Sequence, residues 1–215
     1  MTKKDVAVIG GAFDPVHNGH IMMADYLSKN YIVDEVLMLP SYASPLKDEK
    51  KMTSYEDRIN MLALGTKDIG RVSISRIEED YYKTHQTKTY TYNILKELEK
   101  KYLNIKIHFI VGFDCIKDIS LWQNYLDLLN EYEFYIFDRD DSIFKTKEQK
   151  KYYLDNLGKK QNIKFYYEIM DCKIPTISST KIRELFNDKN KNHDEILKYI
   201  PVTVYNYIVL NNLYE

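Results

Sequence analysis

Cysteine, glycine, proline and tryptophan are all scarce in this chain, and each shortage removes a class of architecture. The two cysteines, Cys115 and Cys172, lie far apart and form no CxxC pair. Neither a disulfide framework nor a cysteine-based zinc site is expected, and both are read as reduced thiols. With seven glycines and five prolines there is no Gly/Ser-rich hinge, low-complexity linker or internal repeat. Long apolar runs are also missing: Val6 to Ile9 is too short for a signal-peptide core or a membrane span, so the protein is read as cytoplasmic. Nor is there an excess of one charge. Thirty-one basic residues against 32 acidic ones leave a formal net charge of -1, no field to gather nucleic acid or an anionic membrane. Recognition of phosphate has to be local.

What is present is length for one α/β domain, 215 residues, and a regular alternation of patterns. Short β-prone runs occur at Val6–Ile9, Val36–Leu39, Val72–Ser75, Ile105–Val111, Phe134–Phe137 and Lys164–Ile169. Between them lie helical periodicities at Gly19–Lys29, Ser54–Thr66, Thr91–Tyr102 and Leu121–Asn130, the second with Thr53 and Glu56 placed for a capping box. The order predicts an α/β fold, a Rossmann-like, mainly parallel sheet flanked by helices. The last part differs: Ser178–Phe186, His193–Tyr199 and Val202–Asn211 read as consecutive helices, the third entered through Pro201 as a first-turn residue. Residues 1–215 are therefore one domain, with 178–215 a helical C-terminal cap. The lysine-rich stretches Lys47–Lys51 and Lys145–Lys151 read as solvated loop and helix faces, and the twenty tyrosines as half-buried filling.

Chemistry concentrates in two segments. The first, Gly10-Gly11-Ala12-Phe13-Asp14-Pro15-Val16-His17-Asn18-Gly19-His20, follows the first strand and opens the first helix. Gly10 and Gly11 are expected to let the backbone turn and approach a ligand, while the helix start offers unpaired N–H groups and a positive dipole end. The spacing fits neither G-x-x-x-x-G-K-[ST] nor G-x-G-x-x-G. His17 and His20, three apart at a helix start, can face the same side and donate to phosphoryl oxygens as charge moves toward a leaving pyrophosphate. Zinc is the competing use of H-x-x-H, but no third or fourth ligand is grouped nearby.

The second segment, Ile177-Ser178-Ser179-Thr180-Lys181-Ile182-Arg183, follows Pro175 and opens another helix. Ser178 alone would be an ordinary N-cap. With Thr180, the free amides and Arg183 one turn inside, the segment forms a second anion site suited to a triphosphate tail.

Together these motifs resemble the nucleotidyltransferase superfamily with HxGH and ISSTxxR signatures, and within it bacterial nicotinate-nucleotide adenylyltransferase. Further landmarks fall in the family's order across nearly the whole chain: Leu39-Pro40, Ser54-Tyr55-Glu56-Asp57-Arg58, Tyr90-Thr91-Tyr92, Val111-Gly112-Phe113-Asp114, Leu121-Trp122, Arg139, Tyr207-Ile208 and Leu213-Tyr214. The resemblance implies that ATP and nicotinate mononucleotide are joined to give deamido-NAD and pyrophosphate, with Mg²⁺ accompanying ATP. It implies catalysis by His17, His20 and Arg183. ATP would meet Gly11, Ala12, Phe13, Gly112, Asp114, Ser178 and Thr180 besides these three. The mononucleotide would meet Asp14, Lys47, Thr91, Tyr92, Trp122 and Arg139. Asp114 is also placed to cap the next helix, and Trp122 to fill core. No nucleic acid or membrane partner is implied, and self-association stays open.

The chain departs from the family in three places. Ser44-Pro45-Leu46-Lys47 stands where a Pro-Pro-His-Lys is usual, so a loop contact and some preference for the acid over the amide are in question. Lys88-Thr89-Tyr90-Thr91 replaces Pro-Ser-Tyr-Thr, and Ala12 replaces a hydroxyl residue. The alternatives are the same chemistry on nicotinamide mononucleotide or another phosphorylated acceptor such as phosphopantetheine, and a non-catalytic nucleotide-binding module.

Overall fold

The structure is a computed structural model that describes residues 3–30, 32–45, 52–139, 144, 146–188 and 193–214. The elements follow one another as β1 (Lys4–Gly11), α1 (Asn18–Lys29), β2 (Glu35–Pro40), α2 (Tyr55–Thr66), β3 (Val72–Ile74), α3 (Ile77–His85), α4 (Thr91–Lys101) and β4 (Ile105–Gly112). Next come α5 (Phe113–Lys117), a 3-10 turn at Ile119–Leu121, α6 (Tyr125–Glu131), β5 (Glu133–Arg139), α7 (Lys147–Gln161) and β6 (Tyr167–Ile174). The chain ends with α8 (Ser179–Asn187), α9 (His193–Leu197) and α10 (Val202–Leu210).

The six strands form one sheet in the order β3-β2-β1-β4-β5-β6, and every neighbouring pair is parallel. Successive side chains of a strand point to opposite faces, so β1 feeds two cores. Ala7 and Ile9 join Val36, Met38 and Ile110 under Leu27, Met61, Ile182 and Val204, a face covered by α1, α2, α8 and α10. Val6 and Val8 join Leu37, Phe109 and Val111 under Ile94, Leu98, Leu128 and Leu154, a face covered by α4, α6 and α7. Each such side chain stabilises the fold by about 1.5–3 kcal/mol on burial. Because β1 is followed by β2 on one side and pairs with β4 on the other, the strand order reverses at β1/β4. In an open parallel sheet a crevice forms there, beyond the carboxyl ends of the strands.

Several expectations need correcting. The sixth strand lies at Tyr167–Ile174 rather than Lys164–Ile169: its register follows β5, with Phe134 opposite Tyr167, while Ile163–Phe165 cover the end of α7 around Gly158. It stops before Pro175, which has no N–H for a ladder. The N-cap of α2 is Ser54, whose hydroxyl accepts from the Asp57 amide at 3.1 Å, one residue later than the expected Thr53. Pro201 is the capping residue of α10, with an extended ψ of 148°, not its first turn. The lysine-rich run near 145 hides α7, whose capping box pairs Thr146 with Gln149. The stretch Leu121–Asn130 is not one helix, since Asn124 takes the left-handed region at φ 57° between the 3-10 turn and α6.

The C-terminal helices reach the site through a close approach at Gly65 on α2. A Cβ there would stand 3.2 Å from Val16, 3.3 Å from Ile21 and 3.4 Å from Val204. Gly65→Val is expected to overpack this junction and cost about 1–3 kcal/mol in urea unfolding; unchanged stability would show that α10 is not seated tightly on α2.

Candidate active site

The turn after β1 is built differently from the two-glycine bend expected. Gly10 and Gly11 stay in the strand, opposite Leu39 and Pro40, and no described glycine has positive φ. The left-handed residue is Phe13, at φ 50°, followed by a cis Asp14–Pro15 bond. The positive φ of Phe13 costs a non-glycine residue about 1–2 kcal/mol, offset by burying the Phe13 ring to 1% exposure. Gly11 makes room for it, since a Cβ there would meet the Phe13 ring at 3.2 Å.

The same turn delivers the histidines. His17 is the N-cap of α1 and His20 its third residue; their rings stack at 3.7 Å, with Phe13 edge-on to His20 at 4.9 Å. His17 is 3% exposed, whereas His20 is half-buried. The His20 Nδ1 accepts the His17 backbone N–H at 3.4 Å. In the neutral ring this places the proton on Nε2, the nitrogen able to donate to an anion.

The second anion segment folds onto the first. Ser178 caps α8, accepting the Lys181 amide at 3.2 Å, so its N-cap role is real. Ser179 donates to the Pro15 carbonyl at 2.9 Å, and Arg183 Nη1 donates to the Asp14 carbonyl at 2.6 Å. The other Arg183 nitrogen donates to the Thr180 hydroxyl at 3.2 Å. Two motifs about 160 residues apart in sequence thus meet at the carboxyl end of β1.

A cavity of about 670 Å³ opens there, lined by Gly11, Ala12, Phe13, Asp14, His17 and His20, by Ser178, Thr180 and Arg183, and by Thr91, Asp114 and Trp122. Its volume suits a nucleotide-sized ligand. Its lining comes from both faces of the sheet, which defines two lobes: that on the α1 and α8 face carries the histidines, and that on the α4 face is walled by Thr89, Tyr90 and Thr91 at the start of α4, by Trp122 lying edge-on to Phe109 at 6.2 Å, and by Glu78 on α3. Gly112, rather than Asp114, occupies the cap position of α5, and exposed Asp114 faces the cavity.

The remaining expected residues stand as follows. Tyr92 turns away, its hydroxyl donating to Glu131 on α6 at 2.9 Å, because a helix that offers Thr91 to the cavity carries the next residue round to its flank; Tyr90 lines the wall instead. Arg139 ends β5, its backbone opposite Ile174. Lys47 and Leu46 lie outside the described residues. Gly112 shapes the site only as the buried last residue of β4.

Two buried charged residues shape the site without having been expected there: Arg58, which the sequence offered only as the end of the landmark run from Ser54, and Glu78, which no motif marked. Arg58, 3% exposed, sends Nη1 to the carbonyls of Ala12 at 2.9 Å and Ser41 at 2.8 Å, and Nε to that of Thr53 at 3.1 Å. Burial lowers its pKa, opposed by the charges of Asp14 and Glu78. Buried Asp14 accepts from the Tyr214 hydroxyl at 2.6 Å and the Thr53 amide at 3.3 Å. Tyr214 is held protonated by burial and then by the Asp14 charge. Glu78, 9% exposed, accepts the Thr89 hydroxyl at 2.6 Å and the Tyr42 amide at 2.9 Å. It sits in the run Glu78-Glu79-Asp80, which no expectation singled out.

Desolvation pushes the Glu78 pKa from 4.5 to about 7, against the pull of its two hydrogen bonds and Arg58. A carboxyl raised on folding stabilises at low pH and loses that contribution as pH rises through its folded pKa. Glu78→Gln is therefore expected to gain on the parent by on the order of 2 kcal/mol between about pH 4.5 and about pH 7.5, in urea unfolding at each pH. A gap independent of pH would contradict the buried, proton-binding carboxyl. Arg58→Met, which strands three carbonyls, is expected to destabilise by about 3 kcal/mol or more, whereas a loss below about 1 kcal/mol would mean that the three loops hold without it.

Residues 8–185 match the family described as Cytidylyltransferase-like. The chain is 34% identical over 213 residues to the "Probable nicotinate-nucleotide adenylyltransferase" of Clostridium botulinum strain Okra, covering 97% of this chain and 98% of that protein. A protein of the same name from Clostridium tetani is 31% identical over 215 residues, the full length of both. Among solved structures, the Plasmodium falciparum nicotinic acid mononucleotide adenylyltransferase complexed with NaAD superposes with a TM-score of 0.77 at 26% identity, covering 98% of this chain and 97% of that one. With the histidine pair, the capped hydroxyl segment and the two-lobed cavity in place, the chain belongs to the cytidylyltransferase-like family, in its nicotinate-nucleotide adenylyltransferase branch.

Proposed function

We propose that this enzyme joins ATP to nicotinate mononucleotide, forming deamido-NAD and pyrophosphate for NAD synthesis. The observation that carries the reading is the cavity itself, with anion-binding groups on one lobe and an aromatic, hydroxyl-lined wall on the other. The Clostridium botulinum, Clostridium tetani and Plasmodium falciparum proteins bear names of this activity. The ligands are small nucleotides, and a cytoplasmic location belongs to the same proposal; no described helix is long and apolar enough to cross a membrane.

In the reaction a phosphate oxygen of the mononucleotide attacks the α-phosphorus of ATP in line. The new O–P bond forms as the bond to the bridging oxygen breaks, and pyrophosphate leaves with the electron pair. Such a transfer needs positioning and charge stabilisation more than a protein nucleophile. In this reading His20, through Nε2–H, and Arg183 meet the charge that develops on the leaving phosphates, a role supported by the stacking of His17 on His20 and the bond from the His17 amide that orients its ring. Ser178 and Thr180 flank Arg183 at the start of α8 for the terminal phosphates. Thr91 and the amides at the start of α4 suit a pyridine carboxylate, and Trp122 suits the ring.

Among the described residues no three His, Cys, Asp or Glu side chains gather to hold a metal ion, and Asp114 is an exposed carboxylate on the wall. That donor set fits a Mg²⁺ ion that arrives with ATP, coordinated mainly by phosphate oxygens and water. Bound there, it would neutralise phosphate charge.

Pyrophosphate release from Mg-ATP is expected with nicotinate mononucleotide, at higher kcat/KM than with nicotinamide mononucleotide. Comparable or better turnover of the amide would overturn the choice of the acid, and no turnover of either would overturn the acceptor class. His20→Ala is expected to lower kcat by order 10²-fold or more while folding normally; an unchanged kcat would remove His20 from the transition state.

A further inference from the structure

We propose that Glu78 sets the balance between acid and amide forms of the pyridine nucleotide: ionised, it opposes a ligand carboxylate in the lobe it lines, and neutral, it admits one. The inference rests on the substrate reading above and adds a residue and a proton to it.

The geometry is specific. Glu78 lies in the first turn of α3 and lines the same lobe as Thr91 and Trp122. Both of its hydrogen bonds, from the Thr89 hydroxyl and the Tyr42 amide, end on one oxygen, Oε2. The carboxyl thereby ties the loop after β2 to the segment entering α4, two residues before Thr91. Thr89 is fastened again by its amide to the Ala43 carbonyl at 3.1 Å. A proton on the other oxygen would leave both accepted bonds intact, so the charge can change without moving the wall.

The surrounding charges make that change consequential. From α2, Arg58 and the Tyr55 hydroxyl act on Glu78, but Arg58 spends its hydrogen bonds on the carbonyls of Ala12, Ser41 and Thr53 rather than on a carboxylate. From its own helix, Glu79 is paired with Arg76 and Lys83, and Arg76 also reaches Glu56. The segments carrying Tyr42 and Thr89 contribute these two donors, and exposed Lys88, next to Thr89, is not among the charges that act on Glu78. Among the described residues ionised Glu78 is thus a buried anion with no ion-pair partner in contact, and it faces the lobe assigned to a second anion. Like charges in a partly desolvated lobe raise one another's proton affinity, which couples binding of a carboxylate to protonation of Glu78. The amide ligand carries no such charge. Burial already holds this carboxyl near pH 7, where the coupling would be read.

The test is the ratio of kcat/KM for nicotinate mononucleotide to that for nicotinamide mononucleotide, measured from about pH 6 to about pH 8. The ribose phosphate, ATP and the histidines are common to both substrates and largely cancel. The ratio is expected to fall on the order of tenfold as pH rises across this range. Glu78→Gln keeps an acceptor for Thr89 and Tyr42 but cannot ionise, and its ratio is expected to stay flat. Thr89→Val removes a bond that stabilises the ionised form, so its midpoint is expected to move to higher pH. Binding of the acid, and not the amide, should also take up protons near pH 7 in calorimetry run in buffers of different ionisation enthalpy, and Glu78→Gln should abolish the uptake. A ratio that is flat in the parent, or a slope that survives in Glu78→Gln while the acid is still turned over, overturns the role of Glu78 alone. Absence of turnover with both nucleotides removes the substrate reading and this inference with it.

Discussion

The guanidinium of Arg58 is the point on which the site depends. Three loops converge beyond the carboxyl end of the sheet, and each has a carbonyl turned inward: Ala12 after β1, Ser41 after β2, and Thr53 before α2. Inward carbonyls without donors would each cost about 1–3 kcal/mol. One planar cation with several fixed donors satisfies all three, which a flexible ammonium could not do with the same geometry. The cost of burying that charge is moderated by Asp14 and Glu78, both close enough to act on it. Those two carboxylates then take on tasks of their own, Asp14 at the histidine lobe and Glu78 at the other.

From Asp14 the organisation spreads to the far end of the chain. Its carboxylate accepts from Tyr214 and Thr53, while its carbonyl accepts from Arg183. Tyr207 donates to Asp57 at 2.8 Å, and Asn18 bonds the backbone at Lys198 and Tyr199. The C-terminal helices are therefore fastened to the turn that carries His17 and His20. The turn that carries the histidines is thus held by a contact from a residue 200 positions further along the chain.

The parts legible in the sequence were those with strong periodicity or a strained local need. Val6–Ile9, and Phe109–Val111 within the run Ile105–Val111, are apolar on both faces, as buried parallel strands must be, and the structure places them side by side. The histidine pair and the Ser178–Arg183 segment stood out because their residue types are poor choices for a plain turn. What escaped was polar at first sight. Helix α3 presents Glu78, Glu79 and Asp80 in one run, and nothing in the letters distinguishes the buried Glu78 and Glu79 from exposed Asp80. Helix α7 begins in a lysine run, although Thr146 and Gln149 spell its capping box. The double glycine misled in the opposite sense: it is needed for the room that the Phe13 ring occupies, not for its φ angles.

The two lobes differ in how they treat charge, and the chemistry follows from that difference. On the histidine side, Arg183, the start of α8 and the start of α1 all present donors, so several phosphates can be held with little competition from carboxylates. Asp14 is no exception, because its oxygens are occupied by Tyr214 and Thr53. The opposite lobe has hydroxyls, an indole and a carboxyl whose charge is held in check mainly by desolvation. Under the proposed function this arrangement separates polyphosphate binding from recognition of the pyridine, so that discrimination among pyridines would be tuned on α3 and α4 without disturbing the groups proposed to meet the departing pyrophosphate.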